Sequence, residues 1–310
     1  MSFHLRGSYM GQSPAELKSS LEGLIGFGVT PFHQDLKVNV EALRENAAYL
    51  ARYCDIVVAL GNNGEIFSLS IEEQKLVGRS VVEEVAKRKP VLVGTGFSLP
   101  DTCELARAAE AYGADGILVL PPHYLKSNED GLFAYYQAAA KATHLGVILF
   151  QTPEFNFTPS LLRRLAVIPN IIGLKDEHGD MKQFVRQQAA VGDQLELLCG
   201  VGEILAPSYA ALGVKAFTSG IVNFMPQVSL EILKCLQSGQ LERATRIVER
   251  ETLAIFDLRA KQPGYSTSVI KEAMNLCGIG VGPVRPPLPA LLEADRLHLR
   301  VILQSRGVMN

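Results

Sequence analysis

Asn170-Ile171-Ile172-Gly173-Leu174-Lys175-Asp176-Glu177-His178-Gly179-Asp180 sets a short apolar run against a lysine, then turns at once to acidic, glycine-containing chain. Helical patterns lie on both sides, so the run reads as a buried parallel strand with Lys175 at its carboxyl end. An amine held there is poorly solvated, and burial pulls its pKa toward neutrality. A free lone pair near physiological pH is what attack on a ketone and Schiff-base formation require. A solvated strand-end lysine paired with Asp176 is the competing reading, and the stretch alone leaves both open.

Outward from this stretch the same alternation repeats. Strand-like runs occur at Leu24–Phe32, Asp55–Leu60, Val91–Gly96, Gly116–Leu120, Gly146–Phe150, Leu195–Gly200 and Lys215–Gly220. Helical spacing fills the intervals, at Val40–Tyr53, Ile71–Lys87, Pro100–Tyr112, Gly131–Thr143, Pro159–Val167, Met181–Val191, Glu203–Leu212 and Gln227–Ser238. About eight strand–helix units in roughly 250 residues predict an α/β fold, a (β/α)8 TIM barrel. A doubly wound sheet suits about six units, and no G-x-G-x-x-G follows the first strand. The expected organisation is a segment 1–22 with a short lid helix at Ser13–Glu22, a barrel over 23–238, and a C-terminal helical extension over 239–310. That extension is read as three helices, Leu241–Leu258, Ser266–Cys277 and Pro289–Gln304, packed on the barrel.

Composition narrows the function. The 310 residues are 47% hydrophobic and 20% charged with a net charge of -2, and no Lys/Arg-rich run is present. Nucleic acid and anionic membrane are therefore not expected as partners. No run approaches the roughly 18 apolar residues of a membrane span, and residues 1–12 lack the apolar core of a signal peptide. Cys54, Cys103, Cys199, Cys235 and Cys277 are scattered without a CxxC, the pattern of free thiols in a reducing, cytoplasmic setting. No metal is expected, because no His/Asp/Glu cluster has ligand spacing; His4, His33, His144 and His298 are read as surface or structural residues. Nor is there a G-x-S-x-G elbow for a serine nucleophile.

In a barrel of this kind chemistry gathers where strands end and βα loops begin. Gly61-Asn62-Asn63-Gly64-Glu65 follows the second strand, and its amides and carboxamides suit a carboxylate, although asparagine and glycine also make plain turns. Pro121-Pro122-His123-Tyr124 follows the fourth; His123 or Tyr124 could pass protons there or pack at a subunit contact. Thr218-Ser219-Gly220 ends the eighth, leaving a hydroxyl and bare backbone for close approach of a ligand or for tight packing.

Taken together, Gly61–Glu65, Pro121–Tyr124 and Gly173-Leu174-Lys175-Asp176 make the chain resemble the dihydrodipicolinate synthase and N-acetylneuraminate lyase superfamily over about Gly23–Leu303. Within it, Glu65–Leu69, Lys175–Asp180, Val222-Asn223-Phe224, Gly264–Lys271 and Gly282–Arg285 resemble the 5-dehydro-4-deoxyglucarate dehydratases. The resemblance implies a Schiff-base lyase on Lys175, acting on a sugar-acid-derived 2-oxo acid without a cofactor, in a homo-oligomer, dimer or tetramer. Asn62, Asn63 and Gly64 would then bind the substrate carboxylate, Ser219 and Gly220 would line the mouth, and Tyr124 would act near a neighbouring subunit's site. The implied reaction is loss of water and carbon dioxide to give 2,5-dioxopentanoate. Two alternatives are a class I aldolase that releases pyruvate and a metabolite-binding homologue with impaired catalysis. Three positions depart from the pattern. Phe150, in the substrate site, replaces a proton-relaying tyrosine, Phe155 replaces the arginine of dihydrodipicolinate synthases, and Asn62-Asn63 replaces threonine-containing loops.

Overall fold

A computed structural model of the chain describes residues 12–122 and 126–309. Eight parallel strands close into one barrel in sequence order: β1 (Gly23–Phe27), β2 (Ile56–Ala59), β3 (Val91–Thr95), β4 (Gly116–Val119), β5 (Gly146–Gln151), β6 (Ile171–Asp176), β7 (Glu196–Cys199) and β8 (Ala216–Ser219). The first and last strands close the ring with Gly26 opposite Ser219. Val, Ile and Leu dominate the strands because both faces are covered, one by the barrel interior and one by helices. β1 is shorter than its apolar run: pairing ends at Phe27, and Phe32, just past Pro31, instead makes a bridge to Val38.

Before the barrel comes α1 (Pro14–Ser19); between its strands run α2 (Val40–Tyr53), α3 (Ile71–Val85), α4 (Leu99–Ala111), α5 (Glu129–Lys141), α6 (Pro159–Ala166), α7 (Met181–Val191) and α8 (Ala206–Ala211), and α9 (Pro226–Gln237) follows β8. Ser13 and Glu16 close a capping box on α1, which starts the short helix cleanly. Its Leu17 is fully buried, and a Cβ added at Gly116 would lie 2.5 Å from the Leu17 side chain. Because Gly116 opens β4, the helix seals the amino-terminal floor of the barrel; the expected lid closes the end opposite Lys175.

The carboxy-terminal extension contains α10 (Leu241–Ile247), a five-residue π segment at Val248–Thr252, α11 (Leu253–Ala260), α12 (Tyr265–Leu276) and α13 (Glu293–Ser305). The first expected helix is thus interrupted, and one extra residue in a turn offsets everything after it by about 100° around the axis. Val29, Ile221, Phe224 and Met225 from the barrel share a core with Ile255, Val269, Ile270 and Leu299 from the extension. Each such side chain contributes about 1.5–3 kcal/mol on burial.

A buried polar lock adds to this core. Glu65 has a left-handed backbone (φ 52°), and its carboxylate accepts from Lys271 Nζ at 2.8 Å and from the Arg285 backbone N–H at 2.8 Å. Lys271 also donates to the carbonyls of Thr30 (2.9 Å) and Pro283 (2.5 Å), while the Arg285 guanidinium grips both oxygens of Glu73 at 2.8 Å. The Phe32 ring meets both cations, at 4.3 Å from Lys271 and 4.4 Å from Arg285. Lys271 and Glu65 side chains are 1% and 0% exposed, so each satisfies a charge that water cannot reach. Among the described residues no helix is long and apolar enough to cross a membrane.

Candidate active site

β6 is buried along its whole length, and Lys175 sits at its carboxyl end between Phe150 on β5 and Leu198 on β7. Strand geometry sends alternate side chains to opposite faces. Asp176 therefore points away from Lys175. It accepts from Tyr209 Oη on α8 (2.6 Å), Gln151 Nε2 (2.8 Å) and the His178 N–H (2.8 Å). The Lys175–Asp176 ion pair of the competing reading is thus absent among the described residues, and the partner is Glu177, whose Oε2 lies 2.5 Å from Nζ.

The Lys175 Nζ sits 3.6 Å above the centre of the Phe150 ring and 5.1 Å from that of Phe27. Burial pulls its pKa below the ordinary lysine value, against the charge and hydrogen bond of Glu177 and the charge of Asp176. A pocket at this end of the barrel is lined by Lys175, Glu177, Asn62, Asn63, Glu203 and Arg259, with Ser219 and Gly220 on the same wall.

Gly61–Glu65 forms a tight turn that uses some of its own donors. The Gly64 N–H bonds Gly61 O at 3.0 Å and the Glu65 N–H bonds Asn62 O at 3.0 Å. The Gly64 carbonyl accepts from Thr30 at 2.6 Å, and Thr267 of α12 holds the Asn62 carbonyl at 3.2 Å. Gly64 therefore shapes the loop, while the Asn62 and Asn63 side chains reach the pocket. Gly220 makes room for one of them, since a Cβ there would lie 2.5 Å from Asn63 Nδ2. Phe150 is fully buried beneath the lysine. His123 and Tyr124 lie outside the described residues.

Three further residues were not singled out by sequence reasoning. Glu177 adjoins the lysine in the chain, yet only the strand's alternation and its end at Asp176 bring it back to Nζ. Glu203, in the loop after β7, is fully buried; its Oε1 accepts from Ser219 Oγ and from Ser229 Oγ (2.6 Å), whereas its Oε2 has no partner among the described residues. Burial raises its pKa, opposed by hydrogen bonds from the two serines and by the charge of Arg259. Arg259 comes from α11, beyond the π segment. It donates to Ser266 O at 3.1 Å and Ser266 Oγ at 2.9 Å, and among the described residues no carboxylate pairs with it.

The model of the dihydrodipicolinate synthetase family matches residues 20–306 of the chain. The chain belongs to that family. Among curated relatives, a probable 5-dehydro-4-deoxyglucarate dehydratase of Methylobacterium radiotolerans is 36% identical over 299 residues, spanning 95% of this chain and 98% of the relative. A Rhodococcus opacus protein of the same description is 36% identical over 298 residues, spanning 94% and 98%. Among solved structures, dihydrodipicolinate synthase from Bacillus clausii superposes with a TM-score of 0.89 at 30% identity, covering 94% of this chain and 99% of the other. YagE, a prophage family member from E. coli K12 in complex with pyruvate, gives 0.86 at 31% identity, covering 93% and 99%. The family barrel and its helical extension agree with the fold described above, and with these dehydratase relatives the family member is a lyase.

Proposed function

We propose that the enzyme forms a Schiff base through Lys175 with a dicarboxylic 2-oxo acid, and that it dehydrates and decarboxylates 5-dehydro-4-deoxyglucarate. The observation that carries the choice of substrate is the pairing, on one pocket wall set, of a buried lysine with Arg259, a second cation free of any carboxylate among the described residues. Such a substrate has a carboxylate beside its ketone and another at the far end of the chain. Asn62 and Asn63 would hold the first through their amides, with Gly220 leaving the space they need. Arg259 would hold the second through a charge-assisted contact. Glu203, whose Oε2 has no partner among the described residues, would accept from a substrate hydroxyl while Ser219 and Ser229 hold its other oxygen.

The Lys175 amine attacks the ketone, and loss of water gives an iminium. Counting from the carboxylate beside the ketone, a proton leaves C3 to give an enamine. The enamine expels the C4 hydroxyl as water and regenerates a conjugated iminium. That iminium accepts the electron pair of the C5–C6 bond as carbon dioxide departs. Protonation at C4 with loss of the C5 hydroxyl proton gives the aldehyde, protonation at C3 restores an iminium, and its hydrolysis frees 2,5-dioxopentanoate and the lysine. The Phe150 ring keeps water from the underside of the nitrogen. Tyr124 and a homo-oligomeric assembly belong to the same proposal on the strength of the resemblance.

The test is to incubate the protein with pyruvate or with 5-dehydro-4-deoxyglucarate, add borohydride and measure intact mass. An adduct on Lys175 is expected with both. No adduct with any 2-oxo acid refutes the reading. Release of 2,5-dioxopentanoate and carbon dioxide supports the dehydratase, and release of pyruvate from the dicarboxylate would make the enzyme an aldolase instead.

A further inference from the structure

Imine chemistry needs a group that moves protons at the nitrogen and at the departing oxygens. The neighbours of Lys175 Nζ are sparse. Below it lies the Phe150 ring and beside it the Phe27 ring, neither of which can exchange a proton. Asp176 is on the opposite face of the strand, occupied by Tyr209 and Gln151. Glu203 makes no hydrogen bond to Nζ, its Oε1 being held by two serines and its Oε2 without a partner among the described residues, and Arg259 keeps its charge throughout the working range. What remains is Glu177. Its Oε2 is 2.5 Å from Nζ, and it is the one group among the described residues that hydrogen-bonds that nitrogen. Its other oxygen is 3.4 Å from Asn62 Nδ2, so the carboxylate spans from the nucleophile to the carboxylate-binding loop. Its side chain is 30% exposed against 4% for Lys175, which leaves it room to swing between nitrogen and substrate.

We infer that Glu177 is a catalytic residue, the proton carrier of the Schiff-base cycle. The assignment rests on the imine mechanism proposed above. As the substrate is engaged, Glu177 takes a proton from the Lys175 ammonium, leaving a neutral amine and a carboxylic acid. The amine adds to the ketone, and Glu177 passes the nitrogen's surplus proton to the new alkoxide, giving a neutral carbinolamine. It then gives its own proton to that hydroxyl, which departs as water while the nitrogen lone pair forms the iminium. As a carboxylate again, Glu177 removes the C3 proton to make the enamine. It returns that proton to the C4 hydroxyl, which leaves as a second water. Each stage ends with the carboxylate restored, so no external acid or base is consumed.

The experiment measures the single-turnover rate of borohydride-trapped adduct formation with pyruvate in wild type, Glu177→Gln and Glu177→Ala, with and without added formate. Trapping by wild type tests the Schiff-base reading by itself. Given that, Glu177→Gln, which keeps the shape and a hydrogen bond, should slow trapping by ~10²–10⁴-fold, the usual contribution of a positioned acid/base. Formate should restore part of the Glu177→Ala rate, a response that a merely structural ion pair would not give. A second route is Phe150→Tyr in the Glu177→Gln background, which puts a hydroxyl on the ring already beneath Nζ and should recover rate. Trapping by Glu177→Gln within threefold of wild type overturns the assignment. So does a slow variant that answers neither to formate nor to the added phenol.

Discussion

Replacing Lys271 by methionine keeps the length and apolar stem of the side chain and removes its charge. In the native chain Nζ satisfies Glu65 Oε1, Thr30 O and Pro283 O in a site closed to water. After the change Glu65 keeps only the Arg285 N–H on Oε2, and two carbonyls lose their donor. Breaking a buried pair by removing one partner costs about 3–5 kcal/mol. Against a typical total of about 5–15 kcal/mol, that is a large fraction. The loss should depend on pH with a definite sign. Burial already raises the Glu65 pKa even with Lys271 opposing it, so the variant's folded state holds the proton more tightly than its unfolded state. Destabilisation is then greatest above the folded pKa and shrinks as the pH falls toward the unfolded glutamate value of about 4.3. Guanidinium unfolding at two pH values, with Glu65→Gln/Lys271→Met as the companion, measures it. The double variant should recover stability relative to Lys271→Met. A Lys271→Met loss below about 1 kcal/mol, or one that grows on acidification, would refute the account.

Arg259→Gln should raise KM for the dicarboxylic 2-oxo acid by about 10–100-fold, the worth of a charged hydrogen bond, while a 2-oxo acid ending in a hydroxymethyl group loses much less; an unchanged ratio of the two kcat/KM values removes Arg259 from substrate recognition. The rate of pyruvate adduct formation should rise with pH, as Lys175 gives up its proton, and level off below the ordinary lysine value of about 10.4, because burial lowers that pKa. A midpoint at or above that value would contradict it. Gly220→Ala should displace Asn63 and cost about 1–3 kcal/mol by overpacking, with KM for pyruvate rising; denaturation and trapping at graded pyruvate concentrations measure the two effects.

The barrel was readable because its signal is local: Val/Ile-rich runs of strand length alternate with helical spacing, and Lys175 follows such a run directly. The tail motifs were readable as likeness, but their physical meaning was not. Lys271 and Arg285 sit more than 200 positions from Glu65, and nothing in the pattern announces that one buried carboxylate accepts from both. Arg259 escaped for a related reason, since it lies on a helix whose face is turned by the π segment before it. Glu203 was hidden because it reads as the opening residue of the helical pattern Glu203–Leu212, where a glutamate is ordinarily solvated; the helix starts only at Ala206, and three-dimensional packing puts Glu203 behind Ser219. The Lys175–Asp176 pair of the competing reading is excluded for the simplest reason, that neighbours on a strand face opposite ways.

The lock on Glu65 also sets a clock on biosynthesis. Its lysine partner is made 206 residues after it. At about 5–20 residues per second, roughly 10–40 s separate the two on the ribosome. Through that interval the barrel's second loop carries a carboxylate with no cation to meet it, and Asn62 lacks the Thr267 hydroxyl that fixes its carbonyl. A nascent chain of this enzyme therefore completes the support of its Gly61–Glu65 loop only when its last helices emerge, and synthesis that stops short of them leaves that loop without its Lys271, Arg285 and Thr267 contacts.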